Sequence, residues 1–454
     1  MSPEEIAQRA VAVAAGDALI TATRERWALL RFAHSRPTQL TSVDDLTVEI
    51  AALRRGHVGR ASTNGARTED LEGCMARAAH AADVAADASG QGSFAGFPAR
   101  TGPRPHQGHD PATAALDAAR GGQELQAAFE TAAAAGVEAG GIWTAGEVQT
   151  SIASPDGTLV SDRVTDAYMK VVTTGPGERT GYASATAVSA AAIDGGALAT
   201  RAAEKATGGT GTVVVLEPGE YTAVLEPHAV SELLWVLANA AFNGLVHAEG
   251  QGALSGSLGR RVVSPAISLS DSPRFPGTLP RAFDAEGVAK APLPLIQDGV
   301  AHRVVHDIRS GSLAGAGTTG HALVAGGTVD GPRPTNLVLL GGGATGEAEL
   351  CAGVERGIYV TRLWYTNILR PQESAFTAVT RDGTFLIEDG RVTAPVADMR
   401  ITDTALGVLA RTRALGAMPT LCADGELYGR RFASGTVCPP LVAEGVRFTG
   451  TAGA

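Results

Sequence analysis

The sequence predicts an α+β protein of two domains. An N-terminal sheet with helices on one side is expected over residues 1–210, and a β-rich C-terminal domain with a helix near its start over residues 211–454. Three observations carry this. In the first half, runs of period two and runs of helical period fall in separate blocks, not in a regular βαβα order. From Thr212 the texture changes to short strand-like runs between Gly, Pro and Asp-Gly turns. The length of 454 residues, with 44% hydrophobic and 19% charged, suits a packed globule of two to four domains.

The elements follow in order. Ser2-Pro3-Glu4-Glu5 reads as a helix start, with Ser2 as N-cap, Pro3 in the first turn and Glu5 completing a capping box; the helix is expected to run to about Ala15. "ALITATRERWALLRFAHS" and "TQLTSVDDLTVEIAALRRGHVGRASTN" alternate and carry turn residues, as antiparallel strands do. "RTEDLEGCMARAAHAADVAADAS" has helical spacing, with Thr68 as its expected cap. Ser89 to Pro111 is rich in Gly and Pro and reads as a long loop. Helices are expected from about Ala112 and from Gly122 to Ala135, then strands around a Pro-Asp-Gly turn, then a helix from Gly195 to Ala206. Beyond it "TVVVLEP" is expected as a short buried strand leading into the helix of "LEPHAVSELLWVLANAAFNG".

Composition excludes several function classes. The net charge is −10 and no Lys/Arg run offers a phosphate-tracking face, so nucleic acid is not an expected partner. No run of about 18 uncharged apolar residues suggests a membrane span. The first residues lack the basic and apolar regions of a signal peptide. Cys74, Cys351, Cys422 and Cys438 are too few and scattered for a disulfide framework, so the expected setting is cytoplasmic and reduced.

The helix after "LEP" holds the first candidate site. Val230, Leu233, Leu234, Leu237 and Ala241 form one apolar stripe; at about 100° per residue, His228, Glu232, Trp235 and Asn239 share the opposite face, which could look into a cleft or simply into solvent. His228 and Glu232 could share a hydrogen bond or an ion. A zinc site needs three ligands held together, and this helix has one histidine. His302 and His306 in "HRVVH" have helical ligand spacing but strand-like flanks, which put them about 13 Å apart. His247, like His228 and Cys422, is a weak candidate ligand; a free buried thiol is the plainer reading of Cys422. "LVLLGGGATGE" lacks the Lys of a phosphate loop and puts Glu347 after Gly346. The loop carrying Gly315, Gly317, Gly320 and His321 is a candidate cleft lip, where glycine admits a close backbone approach, or a plain surface loop. Trp364, Tyr365 and Asn367 in "RLWYTN" are further cleft candidates, with core packing as the alternative for the two aromatics.

Several stretches together resemble the TldD/PmbA family. "LLRFAHSRPTQLTSVDDLTVEIAALRRGHVGRASTN" is similar to its N-terminal strands. "ALSGSLGRRVVSPAISLSDSP", "FDAEGVAKAPLPLIQDG", "AGTTGHA", "RPTNLVLLGGG", "GVERGIYVTRLWYTN" and "GTFLIEDGRVTAPVADMRI" resemble its C-terminal domain in the same order. The resemblance implies a two-domain fold and a heterodimer of a TldD-type and a PmbA (TldE)-type chain. In the TldD-type chain, His-Glu-x-x-x-His and a later cysteine hold a zinc ion that activates water. Counted back from "ALSGSLGRRV" without gaps, that motif falls on "WVLANA", so its histidines become Trp235 and Ala240 and its glutamate Val236. None of these can ligate zinc or move a proton. The chain therefore resembles the PmbA/TldE-type subunit. The implied arrangement has no cofactor in this chain and zinc in a His-Glu-x-x-x-His partner. The implied substrate is a peptide or unfolded polypeptide, with degradation and leader removal both open. A stand-alone hydrolase built on His228, Glu232, His247 and Cys422, and a homodimeric peptide-binding protein, are the competing readings.

Overall fold

A computed structural model of the chain describes residues 1–98, 102–115, 117–344, 346–423, 430–432 and 434–451. The first helix, Pro3–Ala12, is capped by Ser2 and Glu5 through a reciprocal capping box and ends one turn before Ala15. Strands Ala18–Ala33, Arg36–Arg54 and His57–Thr63 form a meander. Its tight turns place His34, Ser35, Arg55 and Gly56 at positive φ, the backbone twist that joins antiparallel strands in two residues. After the helical segments, Glu138–Ala153, Leu159–Thr174 and Thr180–Ala187 complete a six-stranded antiparallel sheet in which the first strand pairs with the fourth. The Pro155-Asp156-Gly157 turn is present, with Gly157 at φ 83°.

Strand alternation gives this sheet two different faces. One, carrying Ile20, Ala22, Leu30, Phe32, Trp143 and Met169, is covered by the helices Pro3–Ala12, Thr68–Ser89, Ala118–Ala134 and Gly195–Thr207. The other, carrying Leu19, Ala51, Ile152 and Val160, packs on Ala282 and Phe283 of the chain's second half. Helices on one side only is thus the observed arrangement. The cap of the helix Thr68–Ser89 lies one residue earlier than expected: Arg67 occupies it, held by Asp70, and Thr68 is the first helical residue.

In the second half, Gly219–Leu225, Arg356–Arg370, Ala375–Glu388, Met399–Thr404 and Leu441–Thr451 pair in a ring that closes on itself. Phe376, Ile358, Val360, Val446 and Phe448 fill it, in one continuous core with the helix Pro227–Ala240. A second sheet runs through Leu269–Asp271, Leu293–Gln297, Leu337–Leu339, Thr420–Cys422 and Thr436–Cys438. Two local expectations are corrected. "TVVVLEP" is not a buried strand: Val213 and Val215 are exposed, and the strand entering the helix is Gly219–Leu225. Three valines in a row cannot hide both faces where one faces water. "HRVVH" is not a continuous strand either. Val300–Ala301 ends before it, and Val305 makes only an isolated bridge to Asn243.

Candidate functional site

The helix Pro227–Ala240 begins where Glu226 ends the strand Gly219–Leu225, with Pro227 in its first turn. Its cap is a buried ionic cluster. Glu226 accepts from Lys205 Nζ at 2.9 Å and from the Tyr359 hydroxyl at 2.6 Å, with Arg201 at 3.4 Å. Burial by itself would raise this carboxyl, but the charges of Lys205 and Arg201 hold it below the ordinary glutamate range. Carboxylate at a helix N-terminus also suits the helix dipole. The apolar stripe Val230, Leu233, Leu234, Leu237 and Ala241 is fully buried, which fixes the rotation of the helix.

That rotation turns His228, Ser231, Glu232, Trp235 and Asn239 into a cavity of about 460 Å³. Facing walls come from Tyr182, Arg333, Thr335, Arg362, Leu363, Thr366, Cys422 and Phe432. His228 Nε2 meets Ser184 Oγ at 2.7 Å, and its ring stands edge-on to Tyr182 at 5.2 Å. Tyr182 in turn donates to Ser184 Oγ at 3.0 Å. Arg362 is anchored by Asp382 at 2.6 Å and lies 4.4 Å over the Tyr182 ring and 4.9 Å over Trp364. Arg333 donates to Asn239 Oδ1 at 3.1 Å. Two guanidinium groups, that of Arg362 set over aromatic faces, and a hydroxyl cluster can receive backbone carbonyls or a carboxylate.

The other candidates are spread out. Trp364 is 39% exposed and Tyr365 73%, so neither is a core residue. Tyr365 sits at φ 52° where the strand pairing slips, and Asn367 donates to its carbonyl at 2.8 Å. Arg362, Leu363 and Thr366 of this stretch line the cavity, whereas Trp364, Tyr365 and Asn367 do not; Trp364 lies beside it, under Arg362. Gly315 caps the helix Ile308–Ala314 at φ 64°; it and Gly317 are surface residues outside the cavity walls, which corrects their reading as a cleft lip. Gly320 and His321 line a smaller neighbouring cavity instead. His321 is buried, donates from Nδ1 to Thr319 O at 2.9 Å and sets Nε2 3.2 Å from Asp271, which Lys290 also pairs at 3.2 Å. His247 belongs to the helix Gly244–Ala248, away from the cavity walls, and burial lowers its imidazole. Cys422 does line the cavity, but its neighbour is Cys438 on the adjacent strand, whose thiol burial and Cys422 push well above the ordinary range. Among the described residues, no three His, Cys, Asp or Glu side chains are grouped to hold one ion.

Tyr182, Ser184, Arg333 and Arg362 were not singled out from the sequence. Arg362 is two residues from Trp364, so an aromatic with a nearby arginine was the available signal; for Tyr182 and Ser184, 46 and 44 residues before His228, there was none.

Comparison with known proteins fits this architecture. The family described as PmbA/TldA metallopeptidase C-terminal domain matches residues 218–450, just over half of the sequence. The chain belongs to the PmbA/TldD family. A metalloprotease of Methanothermobacter thermautotrophicus is 25% identical over 199 residues, 44% of this chain and 43% of that protein. A metalloprotease of Synechocystis is 29% identical over 163 residues, 35% of this chain and 34% of its own length. The matched part thus spans under half of these relatives. The whole fold recurs in TldE from Thermococcus kodakarensis, with a TM-score of 0.86, 18% identity and coverage of 98% of this chain and 99% of that one. It recurs also in a putative modulator of a DNA gyrase from Thermotoga maritima, with a TM-score of 0.84, 21% identity and coverage of 98% and 99%.

The zinc that a PmbA/TldD metallopeptidase implies does not fit this helix. Trp235 presents an indole to the cavity, and Val236 and Ala240 point into the core. None offers a lone pair to a metal.

Proposed function

We propose that this chain is the TldE-type, metal-free subunit of a two-chain TldD/TldE-type metallopeptidase. Its cavity forms one wall of the chamber in which a peptide or unfolded segment lies extended, and a partner with His-Glu-x-x-x-His supplies the zinc and the activated water. The observation that carries this reading is the cavity-facing surface of Pro227–Ala240, where an indole and an amide stand and the side chains at Val236 and Ala240 are apolar core. His228, Glu232 and Cys422 also line the cavity, but among the described residues no three such side chains are grouped to hold one ion; His228 bonds Ser184 and Cys422 lies beside Cys438. Arg362 and Arg333, each fixed by a neighbour, suit sequence-independent grip on peptide carbonyls. No helix among the described residues is long and apolar enough to cross a membrane, and the four cysteines are free, which is in keeping with a reduced cytoplasmic setting.

The test is co-expression with a His-Glu-x-x-x-His chain of the same family. We expect a one-to-one complex that carries zinc and cleaves an unfolded peptide, while the chain alone holds far less than one zinc and does not cleave. Stoichiometric zinc on the pure chain, lost together with hydrolysis in His228→Ala or Cys422→Ala, would overturn the reading.

A further inference from the structure

A second cavity, of about 150 Å³, adjoins the first. Leu323, Thr335 and Phe432 are walls of both. Its floor is the helix-free face of the six-stranded sheet, where the register sets Thr23 against Thr150 and Val148 against Val164. Its roof is Phe283, Ala285 and Ala322. The space therefore lies in the seam between the sheet and the second half of the chain, reached past Leu323 and Phe432.

The charged groups around this space are matched within the wall. Asp162 takes His106 Nε2 at 2.7 Å and the Ala282 amide at 2.8 Å. Lys290 pairs with Asp271, Arg430 with Glu49 at 2.7 Å, and Arg431 grips Asp166 through two nitrogens at 2.7 and 2.8 Å. Asp284 accepts three backbone amides, from Glu286, Val288 and Ala322. Arg281 stacks on the Phe432 ring at 3.3 Å. A charged guest would have to break one of these pairs and leave a buried charge behind. An apolar guest meets Val148, Val164, Phe283 and threonine methyl groups at no such cost. Size follows from volume: about 150 Å³ is room for a benzene-sized group.

The geometry points to a side pocket that selects one uncharged, apolar side chain of leucine or phenylalanine size from a peptide lying in the larger cavity. The inference rests on the peptide-binding reading above. In an extended peptide alternate side chains point to the same side, so one residue can enter the pocket while its neighbours stay in the main cavity. Burying such a side chain strengthens binding over alanine by on the order of tenfold to a hundredfold.

The test titrates the purified chain with fluorescein-labelled Gly-Ser decapeptides carrying one central Ala, Leu, Phe, Trp or Lys, read by fluorescence anisotropy. The Leu and Phe peptides are expected to bind at least about tenfold tighter than the Ala peptide, and the Trp and Lys peptides without that gain. Ala285→Leu, which fills the pocket, reduces the Leu and Phe peptides to the affinity of the Ala peptide. Val164→Ala, which enlarges it, brings the Trp peptide up. Equal binding of all the peptides, or a Phe advantage that survives Ala285→Leu, would overturn the side pocket and leave peptide binding intact. If no peptide binds, the peptide-binding reading falls and the side pocket with it. Should Ala285→Leu fail to fold by its melting curve, Val164→Ala decides, and no gain for the Trp peptide overturns the pocket.

Discussion

The cap of the cavity helix makes the sharpest energetic prediction. Lys205, on the helix Gly195–Thr207, and Glu226, at the start of Pro227–Ala240, pair at 2.9 Å with side chains 8% and 5% exposed. Lys205 Nζ also donates to Tyr182 O at 2.9 Å, so it ties the cavity helix to a strand of the six-stranded sheet. Two charges this deep are costly to desolvate, and their mutual attraction roughly offsets that cost. Removing one partner leaves the other buried and unmatched. Lys205→Met alone should therefore cost about 3–5 kcal/mol. Arg201 at 3.4 Å from Glu226 and the Tyr359 hydroxyl blunt part of the damage, so the lower end of that range is expected. Glu226→Gln should cost a similar amount, because Lys205 then lacks its counter-ion. The double variant should cost much less than the two losses added, with a coupling of about 2 kcal/mol or more. Urea unfolding followed by tryptophan fluorescence reads all four proteins, since Trp143 is buried in the sheet and Trp235 stands on the cavity helix. Simple addition of the two single losses in the double variant would refute the argument that each charge is there to match the other.

Three further outcomes can be checked. Burial, and then the charge of Asp284, push the Glu286 carboxyl up to about 8 from an ordinary 4.5. The folded chain then keeps a proton that the unfolded chain releases, so this contribution is complete below pH 4.5 and is lost as pH rises through about 8. Glu286→Gln should flatten the fall in melting temperature across that window, and an unchanged slope would count against it. Gly181→Ala would place a methyl 2.0 Å from the Ala202 carbonyl oxygen, where the strand Thr180–Ala187 meets the helix Gly195–Thr207. A loss of at least about 1–3 kcal/mol is expected by chemical denaturation, and a neutral result would mean that the helix shifts freely. Trp235 is 42% exposed, so Trp235→Ala should change stability by no more than about 0.5 kcal/mol while weakening the binding of labelled peptides. A large drop in melting temperature would show that the indole serves packing.

Local pattern carried most of the architecture. The capping box at Ser2 and Glu5, the period-two runs of Ala18–Ala33 and Arg36–Arg54, and the stripe Val230–Leu233–Leu234–Leu237 each depend on neighbours within a few residues, and each is present as expected. The stripe also fixed which side chains the helix turns away from the core, because 3.6 residues per turn leave only one opposite face. Where water sits is a different matter. Val213 and Val215 look apolar enough for a strand, yet no layer covers them. The exposed glycines Gly315 and Gly317 look like a binding loop, yet the chain carries them away from the cavity.

By itself the sequence determined the α+β class, the one-sided helical cover of the first sheet, and an amphipathic helix whose Trp235, Val236 and Ala240 have no metal chemistry. Only the tertiary structure decided what that helix faces. It brought Tyr182, Ser184, Arg333 and Arg362 to His228 and Asn239, and it laid the helix-free face of the sheet against Phe283 and Phe432 to leave a second, smaller space. The physical reason is that periodicity reports which side of an element avoids water, whereas the identity of the surface across from it depends on pairings between residues far apart in the chain.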